Sequence, residues 1–116
     1  MKKVFTVKIM FDYLAKPLWI SYYNPETKEN LINLMHFDLI DNDEEINKIC
    51  AEIEDIYSSY YYFDYKDQTC YFDKDQELAD KDKMLELLKK LNDRLNEIND
   101  GSFVVEDKET DRLKAL

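Results

Sequence analysis

A small α+β domain built on an antiparallel sheet is the fold class this sequence predicts, and three features predict it. Residues 3–13 alternate apolar and polar side chains, the period-two pattern of a half-buried strand. Two later segments, 46–60 and 84–98, repeat their apolar residues at three- and four-residue spacings, the pattern of amphipathic helices. The chain has 116 residues, 45% of them hydrophobic and 14% aromatic, enough to build one core despite a charged fraction of 36%. The expected order is three strands, a helix, two strands, a second helix and an optional last strand. Both helices are expected on one face of the sheet. Residues 1–106 form the domain in this reading, and 107–116 a frayed tail.

The first strand places Phe5, Val7, Ile9 and Phe11 on one face and Thr6, Lys8 and Asp12 on the other. Residues 14–17 connect it to a second strand at 18–23, rich in aromatic and β-branched types. A polar turn at 24–30, with Pro25 suited to its second position, leads into a third strand at 31–37. A helix follows, capped by Asp41 or Asn42 with Glu44 or Glu45 as reciprocal partner. Its stripe is Ile46, Ile49, Cys50, Ile53, Ile56, Tyr57 and Tyr60. The run 60–65 is too aromatic to continue the helix and reads as a strand, paired through a turn at 66–68 with 69–72. Asp80 is the expected cap of the second helix, whose stripe is Met84, Leu88, Leu91, Leu95 and Ile98. Asn99-Asp100-Gly101 stops that helix, and 103–105 supply the last strand. Beyond it only Leu113 and Leu116 are apolar enough to dock, and weakly.

Composition excludes several function classes. A single glycine cannot build a phosphate-cradling loop. Cys50, Cys70 and His36 are too few and too dispersed for a zinc site. Calcium-loop spacing fails at Leu78 and Met84 for the run from Asp73, and at Ile46 for the run from Asp41. His36, the only imidazole, lies in an apolar strand context, and Cys50 lies on an apolar helical stripe where a thiol is filler. The expectation is therefore a protein that is not an enzyme and holds no cofactor or metal. Two cysteines are too few for a secreted disulfide scaffold, and the N-terminus lacks the apolar stretch of a signal peptide, so a cytoplasmic location is expected. No apolar run approaches membrane-spanning length.

The net charge of −10 is unevenly placed. Residues 38–80 carry 14 acids against three lysines, whereas the rest of the chain has 12 acids and 13 bases. Such a segment repels itself and repels nucleic acid directly, so its natural complement is a basic protein surface. Carboxylates two apart on a strand are separated by ~6.6 Å, on the scale of neighbouring phosphates along a nucleic-acid strand. Asp73, Asp75 and Glu77 have that spacing if extended, with Asp64 and Asp67 beside them across the hairpin. Asp41, Asp43 and Glu44 form a second cluster. Tyrosines interleave with these acids, and tyrosine is enriched at interface hot spots. Tyr61, Tyr65 and Tyr71 join the acids as the candidate partner-binding set.

The function expected from this pattern is a small acidic inhibitor that docks on the basic surface of a nuclease or other nucleic-acid-binding protein. In size and acidity it is similar to phage anti-CRISPR and anti-restriction inhibitors, a likeness of type that no residue motif carries. The alternatives are an immunity or antitoxin protein that neutralises a cationic toxin, and a self-associating module in which the second helix pairs with its copy.

Overall fold

The computed structural model describes residues 4–24, 26, 29–32, 37–64, 66 and 69–116. Its elements are β1 (Phe5–Ile9), β2 (Leu18–Asn24), β3 (Glu29–Ile32), α1 (Asp38–Asp41), α2 (Glu44–Ser58), β4 (Tyr61–Asp64), β5 (Thr69–Phe72), α3 (Lys74–Ala79), α4 (Lys81–Ile98), β6 (Phe103–Asp107) and α5 (Thr110–Lys114). The class is α+β, as the alternating and helical periods imply.

The main sheet has the order β3-β2-β1-β6. Strands β1, β2 and β3 form the expected antiparallel meander. Strand β6 instead runs parallel to β1, with Val7 opposite Val105. That departs from an all-antiparallel sheet. A parallel pair needs a long crossover, and the helical chain between β3 and β6 supplies it. The β4–β5 hairpin is a further departure, because it forms a two-stranded sheet of its own.

Register sorts the faces of the main sheet. Val7 pairs with Ile20 and Val105, Ile9 with Leu18 and Phe5 with Phe103, so one face is apolar except at the end of β6, where Asp107 stands opposite Ile9. Ile46, Ile49 and Ile53 of α2 and Met84, Leu88, Leu91 and Leu95 of α4 join that face in a single buried cluster. Burying each such side chain stabilises the fold by roughly 1.5–3 kcal/mol, which is why these two stripes decide where the helices lie. On the opposite face Lys8 stands between Trp19 and Glu106, and Thr6 between Ser21 and Val104.

The helix starts show which local signals prevailed. Asp43, not Asp41 or Asn42, caps α2, its carboxylate accepting the Ile46 N–H at 2.9 Å. Asp41 is drawn into α1 and accepts the Phe37 N–H at 3.0 Å. Asp80 stands at the N-cap of α4, where its carbonyl accepts the Met84 N–H at 2.9 Å but its side chain caps no N–H of that helix. Its carboxylate accepts the Tyr60 hydroxyl at 2.9 Å and the Gln76 side-chain amide at 3.1 Å.

The expected fraying of 107–116 is not found. Asp107 accepts the N–H groups of Glu109 and Thr110 at 2.9 and 3.0 Å, and also the Thr110 hydroxyl. This turn launches α5, which buries Leu113 completely. Arg112 then reaches Glu77 with both terminal nitrogens at 3.1 Å and Glu109 with Nε at 2.5 Å. Two leucines in a polar tail, Leu113 and Leu116, carry no periodic signal, so the segment is ordered by the local Asp107 turn and by the long-range pair of Arg112 with Glu77.

Candidate binding surface

The hairpin after α2 begins at a fully buried tyrosine. Tyr60 has no exposed surface, and its carbonyl accepts the Asp73 N–H at 2.7 Å, closing the base of the hairpin. Burial, with a hydrogen bond to Asp80, pushes the Tyr60 phenol well above its ordinary range. Tyr61 faces the body of the protein, its ring 5.7 Å from Tyr57 and 5.0 Å from Phe72. Its hydroxyl shares a 3.2 Å hydrogen bond with that of Tyr57. A two-stranded hairpin is marginal alone, and this aromatic base is what holds it.

Alternation sends the next side chains to opposite faces. Tyr62 and its cross-strand partner Tyr71 stack on the outer face, centroids 5.3 Å apart and planes inclined 21°. Phe63 lies on the inner face but beyond the core, edge-on to Tyr13 at 6.4 Å. Tyr62 is 52% exposed, Phe63 54% and Tyr71 37%. Beside them Leu14 is 67% exposed and adopts a φ of 54°, a left-handed conformation costly for a leucine. The Ser58 hydroxyl holds that turn by accepting the Leu14 N–H at 3.0 Å. The hairpin thus exposes Tyr62 and Tyr71 on its outer face and Phe63 on its inner face, with Tyr13 and Leu14 of the β1–β2 connection beside it.

The acidic residues divide into two groups. Several serve the fold. Asp43, besides capping α2, is held by Arg94 Nη2 at 2.6 Å. Asp73 caps α3 by accepting the Gln76 N–H at 3.0 Å, so 73–77 is a helical turn and not the extended array that strand spacing would require. Glu77 is 3% exposed and paired with Arg112, which removes it from any partner surface. Asp41 lies 3.9 Å from Lys16. Asp64 accepts the Lys66 N–H at 2.9 Å in the hairpin turn. The second group projects outward: Glu44 and Asp75 of the candidate set are exposed, as are Asp38, Glu52 and Asp55. Tyr65, Asp67 and His36 lie outside the described residues.

The structure therefore brings Asp64 and Tyr71 together on the hairpin and separates Asp43 and Glu77 from it by structural ion pairs. Tyr62, Phe63, Tyr13 and Leu14 are the surface residues that the candidate set omits. The parity of the strand could have been read from the α2 stripe: Tyr57 and Tyr60 point inward, and Tyr61 continues their cluster.

Arg94 holds Asp43 below the usual carboxylate range, its hydrogen bond and charge outweighing burial. Because the folded value is depressed, this contribution to stability is present above the ordinary value of 3.8 and is lost as pH falls through the lower folded value. Melting curves from pH 6 to pH 2 should accordingly show a smaller acid-side loss for Asp43→Asn than for the parent protein. Equal losses would mean that the pair contributes nothing.

The two cysteines are free. Burial pushes the Cys50 thiol up to about 12, whereas Cys70 is exposed on the hairpin. Thiol titration of the native protein should label Cys70 quickly and Cys50 only on unfolding, which mass spectrometry of the labelled peptides would verify. Among the described residues no group of acids, histidine and cysteine is arranged to hold a metal ion, and no helix is long and apolar enough to cross a membrane.

The chain matches no protein-family model, no curated protein and no solved structure. The geometry of the hairpin and the placement of charge therefore carry the functional reading.

Proposed function

We propose that this protein is a cytoplasmic, non-enzymatic binding protein that docks on a basic, nucleic-acid-binding surface of another protein and blocks it. The observation that carries the reading is the two-faced display of the β4–β5 hairpin. A hairpin that merely closed a core would have one apolar face and one polar face. Here Tyr62 and Tyr71 on one side, and Phe63 with Tyr13 on the other, are all substantially exposed. An element with aromatic surface on both sides is suited to insertion into a cleft, where each face meets a wall. The surplus of negative charge between residues 38 and 80 determines which clefts attract it. Reduced, unpaired cysteines favour the cytoplasmic setting.

The surface differs from a continuous phosphate mimic. Asp43, Asp73 and Glu77 are committed to helix caps and ion pairs. The remaining exposed acids steer association, and the aromatic hairpin supplies the buried contact area.

Affinity capture on the immobilised protein from a bacterial lysate tests this. Retained proteins should be nucleic-acid-binding, should be displaced by a double-stranded DNA competitor, and should elute as ionic strength rises. Retention indifferent to both salt and DNA would overturn the reading.

A further inference from the structure

We infer that the outer face of the β4–β5 hairpin is an arginine-recognition site, and that the partner presents an extended arginine-rich segment to it. The inference rests on the acidic docking function proposed above and specifies its chemistry. Tyr62 and Tyr71 form a near-parallel pair, 5.3 Å between centroids and 21° between planes, on a face that leaves 52% and 37% of these residues in contact with solvent. Guanidinium is planar and weakly hydrated and stacks on such rings, whereas ammonium is a compact, strongly hydrated point charge that gains less there. Asp64 follows Tyr62 at the next position on the same face, ~6.6 Å along the strand. One oxygen of Asp64 accepts the Lys66 N–H, and the other oxygen of that carboxylate can accept N–H groups from a guanidinium whose plane lies on the tyrosines, or from the next arginine in an extended segment. Both hairpin strands also have an edge that pairs with no other strand among the described residues, along which an extended chain could run.

Charge complementarity supports this occupant over an apolar one. Between Tyr61 and Asp73 the sequence carries Asp64, Asp67 and Asp73 against the single Lys66, within a protein of net charge −10. A second copy of the chain would bring like charge to like charge at this face.

The probes are an oligoarginine and an oligolysine peptide of equal length, titrated into the full-length protein by calorimetry at one ionic strength. The arginine peptide should bind roughly fivefold tighter than the lysine peptide. Replacing both tyrosines with serine (Tyr62→Ser with Tyr71→Ser) should abolish that difference, while Tyr62→Phe with Tyr71→Phe should retain it because the π faces remain. Circular dichroism and melting of each variant establish that the fold is intact. If both peptides bind equally, or the serine variant keeps the arginine preference, the arginine site is overturned and acidic docking stands. If neither peptide binds, both the arginine site and the acidic docking are overturned.

Discussion

Replacing Arg112 with alanine is expected to destabilise the protein by about 3–5 kcal/mol, the cost of leaving buried charge unpaired. For a domain of this size the whole stability is of order 5–15 kcal/mol, so the loss would be a large share of it. The reason lies in two carboxylates. Glu77 and Glu109 are 3% and 5% exposed, and Arg112 is hydrogen-bonded to both. The second oxygen of Glu109 accepts the Phe11 N–H at 3.1 Å, so the same cluster ties α5 to the chain leaving β1. Without the guanidinium two negative charges would share a dry site. Urea denaturation measures the change. Adding Glu77→Gln and Glu109→Gln to the Arg112→Ala variant should recover a substantial part of the loss, because the unpaired charges are then gone. An Arg112→Ala variant within about 0.5 kcal/mol of the parent would show that the cluster contributes little.

Tyr60→Ala should cost a similar amount, about 3–5 kcal/mol, the usual range for truncating a fully buried aromatic residue. Tyr60 is completely enclosed, its ring edge-on to Phe72 at 5.8 Å, and its hydroxyl reaches Asp80 between α3 and α4. It therefore links the hairpin to the helical layer. Tyr60→Phe removes only the hydrogen bond and should cost about 1 kcal/mol, somewhat more if the charge on Asp80 strengthens it. Tyr62→Ser, two residues along and 52% exposed, should stay within about 1 kcal/mol of the parent. Thermal melts of the three variants would separate the roles. If Tyr62→Ser proved as damaging as Tyr60→Ala, the outer aromatic pair would be structural and the docking proposal would lose its foundation.

Much of the fold is legible from neighbouring residues alone. The stripes of α2 and α4 appear in the sequence because helical burial recurs every three or four positions, and Ile46, Ile53, Met84 and Leu91 are indeed fully buried. The meander appears because alternating residues of a half-buried strand take opposite faces. The ion pairs were not legible. Arg94 and Asp43 are 51 positions apart, and Arg112 and Glu77 are 35 apart. No local pattern marks which arginine will meet which acid, so Asp43 and Glu77 resemble any other carboxylate in an acidic segment. The run 73–77 has the same difficulty on a shorter scale: its spacing fits a strand, and the capping bond from Gln76 to Asp73 makes it a helix.

Sequence by itself determined the α+β class, the two amphipathic helices, the single core and the excess of negative charge in the middle of the chain. These follow from periodicity and composition, which each segment carries independently of the rest. Tertiary structure alone decided that β6 runs parallel to β1, that the aromatic hairpin stands apart from the main sheet, and that α5 is anchored through Arg112. It also decided which acids are consumed by the fold and which aromatic residues face solvent. The physical reason is that burial and pairing belong to residues that meet in space, and those partners are set by how the layers pack.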